Sequence, residues 1–143
     1  MKALVVLPLH PRTRKTLGAA VAGISTSVRV IDPLPYLDML ILEKNARLIL
    51  TDSGGIQKEA YWFGVPCVTL RDETEWIELV EAGCNCLVGT DPDAVLQAVA
   101  AFEASPGLDC HQNLYGDGRS ANRIVSLIAD SALRGGTASV GCT

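Results

Sequence analysis

Ser53, Gly54, Gly55 and Glu59 are residues whose types and spacing can do chemistry. They lie in the run Thr51-Asp52-Ser53-Gly54-Gly55-Ile56-Gln57-Lys58-Glu59-Ala60, after the apolar Leu48-Ile49-Leu50 and before a segment, Ile56 to Phe63, that reads as a helix. Strand, tight Ser-Gly-Gly turn and helix, in that order, aim a helix N-terminus and several backbone N–H groups at one point. Such a point binds an anion, most often a phosphate. The glycines let a ligand approach the backbone closely because no Cβ intervenes. Glu59 falls on the second turn, where a carboxylate reaches sugar hydroxyls beside that phosphate. Together these parts suggest a site for a nucleotide-linked sugar. The plainer alternatives are a tight strand-to-helix turn and a surface glutamate beside Lys58.

The elements that must position these residues alternate along the chain. Apolar runs predict strands at Ala3–Leu7, Val28–Ile31, Leu48–Thr51, Cys67–Leu70 and Cys86–Val88. The continuous run Ala3–Leu7 reads as a strand covered on both faces. Helices are expected over Arg12–Ala22, Pro35–Asn45 (Leu37, Leu40 and Ile41 on one face), Ile56–Phe63, Thr74–Ala82, Asp91–Glu103 and Arg119–Leu133. Asp91 caps the fifth, with Pro92 at its first position. Ile124, Leu127 and Ile128 form the inner face of the last. Ser105–Asn113 reads as a loop, and 135–143, small and polar, as a disordered tail. Strands alternating with helices predict an α/β fold: a Rossmann-like parallel sheet with helices on both faces. Ligands of such sheets bind at the carboxyl ends of the strands. His10, Asp32, Ser53 and Arg71 all follow strand ends and so share that rim.

Each rim residue also has a plainer reading. His10 could bond only to backbone, and Arg12 and Arg14 could be a solvated helix start. Arg71 and Asp72 read better as an internal salt bridge than as ligand contacts, and Trp76 better as packing than as recognition. Asp117, between two glycines, either caps the last helix or works at a domain cleft.

With 143 residues the chain has room for one domain. Its formal charge of −4 argues against a nucleic-acid surface. No apolar run approaches the ~20 residues that cross a bilayer, so no membrane partner is expected. Five cysteines, odd in number and without scaffold spacing, point to a reducing cytoplasm. Cys84-Asn85-Cys86 has no matching second pair, so no metal is expected, and the thiols read as core residues.

Several blocks then add up: Leu9-His10-Pro11-Arg12-Thr13, Thr51–Ala60, Gly64-Val65-Pro66-Cys67, Leu70–Trp76 and Tyr115-Gly116-Asp117-Gly118-Arg119. In this order and spacing the chain resembles the non-hydrolysing UDP-N-acetylglucosamine 2-epimerase family, from about Val5 to Ile128. That family has two Rossmann-like domains around the nucleotide sugar, a fold resembling GT-B glycosyltransferases. The resemblance covers only the later part of the second domain. It implies that residues 1–134 are one incomplete, UDP-binding Rossmann-like domain, with the opening strand and helix absent. It also implies that the carboxylates moving protons at sugar C2 belong to the other domain, so no catalytic residue is assigned here and the chain is expected to be inactive alone.

The resemblance further implies an isomerase of cytoplasmic cell-surface polysaccharide biosynthesis. It would interconvert UDP-GlcNAc and UDP-ManNAc by eliminating UDP across C1–C2 to a 2-acetamidoglucal and adding it back. No cofactor is implied. Ser53, Gly54 and Gly55 would stabilise the leaving diphosphate, Glu59 would hold the ribose, His10 and Arg12 would line the phosphate side, and Tyr36 would border the uracil. Asp117 is carried as a further substrate-side candidate. Where many members have Glu-Arg-Pro-Glu this chain has Glu75-Trp76-Ile77-Glu78, a form resembling epimerases of UDP-2,3-diacetamido-2,3-dideoxyglucuronic acid. A GT-B glycosyltransferase fragment and a non-catalytic UDP-binding remnant are the other readings. With the usual strand order, the middle strand would be missing. The strands Ala3–Leu7 and Leu48–Thr51 would then expose bare edges or meet each other, which predicts a homodimer or a complementing N-terminal domain.

Overall fold

The computed structural model of the chain describes residues 4–104 and 113–133. The expected loop lies outside these residues apart from Asn113, and the expected tail lies wholly outside them. Five short strands, β1 (Val5–Pro8), β2 (Val28–Ile31), β3 (Ile49–Thr51), β4 (Cys67–Thr69) and β5 (Asn85–Leu87), alternate with six helices. These are α1 (Pro11–Leu17), α2 (Tyr36–Lys44), α3 (Gly54–Phe63), α4 (Ile77–Glu81), α5 (Pro92–Ala104) and α6 (Ser120–Leu133). All strand pairs are parallel, and helices lie on both sides, as the alternation predicts.

The strands form two separate sheets, β1-β2 and β3-β4-β5. Val5 pairs with Val28 in the first, and Ile49 with Cys67 and Cys67 with Asn85 in the second. Among the described residues β1 and β3 do not pair with each other and each keeps one edge without a partner strand, the first of the two expected arrangements. One expectation fails. The apolar start of the chain is not covered on both faces: Leu4 and Val5 are exposed, because β1 packs mainly on β2 and not under a helix.

The core sits around β4, every residue of which is buried. Helices α3 and α5 pack against that strand. Tyr61, Leu79 and Cys84 form a buried cluster, with Trp76, Leu114 and Tyr115 packed on it. Cys84 is thus a core residue, and among the described residues no three His, Cys, Asp or Glu side chains gather as a metal site. Among the described residues, no helix is long and apolar enough to cross a membrane.

Three helices differ from the periodicity. The first stops at Gly18, whose φ of 50° breaks the α geometry, and continues as a 3-10 segment to Gly23. The fourth begins at Ile77 and not Thr74, because the Thr74 hydroxyl is engaged with Gln57 and with the Trp76 N–H. In α6 the expected inner face is open: Ile124 and Ile128 are exposed, and Leu127 keeps 69% of its surface. On α2, Leu37 and Ile41 are also exposed, and Glu43 is the residue turned inward.

Candidate functional site

β3 ends at Thr51, and the chain turns through Asp52 and Ser53 into α3. Ser53 is the N-cap: its extended backbone (φ −86°, ψ 124°) starts the helix, and its Oγ accepts from the Ile56 N–H. The Ser53 N–H donates to Thr51 Oγ1 at 3.0 Å, so it is not one of the open donors. The first-turn N–H groups of Gly54 and Gly55 have no intrahelical acceptor, and no other partner among the described residues. Two amides are therefore left open at the positive end of a ten-residue helix, with the capping Ser53 hydroxyl beside them.

Neither glycine has a positive φ. A Cβ at Gly55 would meet only Ser53 Oγ, at 3.8 Å. The fold itself does not require glycine there; the open side of the turn is left clear for whatever approaches it. Gly64 closes the other end of the helix in the left-handed conformation, φ 67°.

The turn is braced from behind. Trp76 Nε1 donates to the Gly54 carbonyl at 2.9 Å. The Lys58 ammonium lies 3.6 Å from the Trp76 ring centroid and 4.3 Å from that of Tyr115, a cation held between two aromatic faces. Tyr115 donates to Glu78 Oε1 at 2.8 Å. Arg71 does not pair with Asp72; its two terminal nitrogens reach Glu75 at 3.2 and 3.0 Å. That fork raises the Arg71 guanidinium and holds the Glu75 carboxyl below its ordinary range, the side-chain hydrogen bond being the main cause in both. Beneath the helix, Gln57 Oε1 accepts from Thr74 Oγ1 at 2.6 Å and from Asn85 Nδ2 at 3.0 Å, while Thr69 Oγ1 donates to Asn85 Oδ1 at 2.8 Å. This buried network fixes α3 to β4 and β5.

The structure joins two of the expected residues directly. Tyr36, first residue of α2, donates its hydroxyl to Glu59 Oε1 at 3.1 Å. That hydrogen bond, with the Glu59 charge, raises the Tyr36 hydroxyl above its ordinary value. The remaining candidates have local partners. His10 caps α1, its Nδ1 accepting from the Arg12 N–H at 3.2 Å. The Arg12 side chain is exposed, and Arg14 pairs with Asp32 at 3.1 Å. Asp117 accepts from the Arg119 N–H and pairs with Arg123 at 3.0 Å, anchoring the start of α6.

Sequence reasoning missed Glu43. It is 2% exposed, lies on the face of α2 that meets α3, and finds no hydrogen-bond donor for either carboxyl oxygen. Burial first, and then the Glu59 charge, push its carboxyl up to about 7. Its spacing was the available signal: Tyr36 and Glu43 lie seven residues apart, two helical turns, on one side of α2.

Parallel strands with crossing helices, and a strand-to-helix turn at the carboxyl edge of the sheet, define a protein of the Rossmann-like α/β class. The model of the UDP-N-acetylglucosamine 2-epimerase family matches residues 1–129. The chain belongs to that family. It is 48% identical over 127 residues to the UDP-2,3-diacetamido-2,3-dideoxy-D-glucuronate 2-epimerase of Pseudomonas aeruginosa, covering 89% of this chain and 35% of that one. The structure of UDP-GlcNAc 2-epimerase from Methanocaldococcus jannaschii aligns with a TM-score of 0.76 at 41% identity, over 87% of this chain and 35% of that one. A second structure of the enzyme from that organism, in complex with UDP-GlcNAc and UDP, aligns with a TM-score of 0.74 at 41% identity, with the same coverage. The chain thus spans about a third of the length of the relatives it matches.

Proposed function

We propose that this chain is the UDP-binding part of a nucleotide-sugar 2-epimerase. The observation that carries the reading is the pair of unpartnered amides at Gly54 and Gly55, one helical turn from Glu59. UDP is a diphosphate joined to a ribose, and the turn offers matching groups in matching order. The amides and the Ser53 hydroxyl face the diphosphate, and Glu59 accepts from ribose hydroxyls, with Tyr36 beside it at the nucleoside end. His10 and Arg12 line the phosphate side and Asp117 the far side of the cleft.

In the proposed reaction UDP leaves sugar C1 as the C2 proton is removed, and it returns after protonation from the opposite face. Negative charge grows on the diphosphate as the C1–O bond breaks. Donors fixed before the reaction stabilise that charge without reorganising. Proton transfer at C2 falls to carboxylates of the other domain, so the complete activity needs a complementing N-terminal domain. The bare edges of β1 and β3 support such a partner, as does an apolar groove of about 470 Å³ lined by Leu50, Leu70, Pro92, Val95 and Leu96. The reaction would serve cell-surface polysaccharide synthesis in the cytoplasm, where Cys67 and Cys86 stay reduced thiols.

The substrate is UDP-GlcNAc, the sugar in the names of several relatives. A second reading, the diacetamido-glucuronate derivative, is favoured by the 48% identity to the Pseudomonas enzyme and by Trp76 in place of a ligand-side arginine. The test is exchange of the sugar C2 proton in heavy water, with this chain completed by an N-terminal domain from a relative. Exchange with either sugar supports the epimerase and names its substrate. UDP binding without exchange of either leaves a nucleotide-binding remnant.

A further inference from the structure

Glu43 has no place in the site as proposed, yet it is buried against it. Glu43 is 2% exposed, no N–H or O–H donor reaches either of its oxygens, and on the face of α2 that meets α3 the Glu59 charge adds to burial in raising its carboxyl. A buried carboxylate without a donor is costly, and two carboxylates in contact cannot both be charged without strong repulsion. One proton between them removes both difficulties. The deeper group, Glu43, is where the neutral form is favoured.

We propose that Glu43 is a positioning residue: as a neutral acid it donates its proton to Glu59 and, with Tyr36, fixes the Glu59 carboxylate for the ribose hydroxyls of a UDP-sugar. The inference rests on the reading of Glu59 as the ribose-binding group. Tyr36 donates to Glu59 Oε1 at 3.1 Å. A neutral Glu43, buried on the same helix against α3, would supply the second donor, so that α2 sets the Glu59 rotamer.

The arrangement makes binding sensitive to pH. The titratable groups facing Glu43 are Glu59 from α3, Cys67 from β4 and Tyr36 from its own helix, and none is a cation. Burial pushes the Cys67 thiol up to about 11, and Tyr36 lies above its ordinary value, so neither titrates near neutrality. Ionising Glu43 removes the donor to Glu59 and puts a second negative charge behind a site that takes a diphosphate.

The experiment is calorimetric titration of the whole chain with UDP-GlcNAc between pH 6 and pH 8.5. That probe is chosen because its diphosphate is a diester with no proton to gain in this range. Wild-type affinity falls about tenfold or more as pH rises through about 7, the factor that corresponds to one pH unit of coupling. Glu43→Gln, which keeps an N–H donor and cannot ionise, binds at pH 8.5 as the wild type does at pH 6. Glu43→Ala loses affinity at both. A flat wild-type profile, or the same decline in Glu43→Gln, overturns the proposal. Infrared difference spectra of the free protein give a second readout: a protonated-carboxyl band that bleaches near pH 7 and is missing from Glu43→Gln. If UDP-GlcNAc does not bind a folded sample at any pH, the UDP reading fails, and the infrared band alone then decides whether Glu43 holds the proton.

Discussion

Gly55→Ala separates ligand approach from folding. In the free protein an alanine Cβ at this position would lie 3.8 Å from Ser53 Oγ, ordinary van der Waals contact, and would meet no other atom within 4 Å outside its own helix and chain neighbours. The backbone there has no positive φ, so no strain is introduced. Alanine also reduces the conformational freedom of the unfolded chain and favours the helix. The variant is expected to be more stable than wild type by a few tenths to about 1 kcal/mol. In a protein of this size that moves the melting midpoint up by a few degrees at most. The same methyl projects onto the open side of the turn, where the diphosphate would lie against the amides. Its intrusion is expected to weaken UDP binding at least about tenfold, about 1.4 kcal/mol. Thermal melts followed by circular dichroism and calorimetric titration with UDP read the two effects in one sample. A more stable protein that no longer binds is the expected outcome. A variant that binds UDP as well as wild type would refute the close-approach reasoning, and one that melts well below wild type would refute the geometry of the turn.

Other perturbations probe the bracing and the charges. Gln57→Leu removes the acceptor shared by Thr74 and Asn85 from a fully buried position and should destabilise the fold by about 2–4 kcal/mol; a chemical denaturation midpoint equal to wild type would contradict the network. Leu79→Ala, fully buried beside Tyr61 and Cys84, should cost about 2–5 kcal/mol in the same assay. Glu43 binds its proton more tightly in the fold, about 7 against an ordinary 4.5, so its favourable contribution is full below pH 4.5 and fades as pH rises to about 7. That loss is at most about 3.4 kcal/mol, and Glu43→Gln should abolish it; denaturation midpoints of both proteins across the range give the comparison. Glu59→Ala should weaken UDP binding while leaving uracil-free pyrophosphate unaffected, and equal losses for both would remove the ribose role.

The strands and the main turn were legible because their signals are local. Apolar runs placed all five strands within two residues, and Ser53, Gly64 and Asp91 mark helix ends by chemistry that needs no tertiary context. What the sequence did not give depends on distant partners. The amphipathic pattern of α6 is real, yet it says only that a face is apolar, not what covers it, and here that face is open. Thr74 was read as helical because its bond to Gln57 spans seventeen residues. The Arg71 partner was misjudged by three positions, Glu75 for Asp72, since several acids follow closely and only geometry chooses. Glu43 stands beside Lys44 and four residues before Arg47, and so reads as one more charged residue at a helix end. Only when α2 is laid against α3 is it buried, with the Glu59 charge acting on it.

The central claim, that the paired glycine amides hold the diphosphate of UDP, is tested most directly by following their resonances. In a folded, glycine-labelled sample, UDP should shift the Gly54 and Gly55 amides saturably and leave Gly64 and Gly83, at the amino ends of β4 and β5, where they were. Glycine amides of the turn that stay fixed while UDP binds elsewhere, or that ignore UDP altogether, would contradict the account.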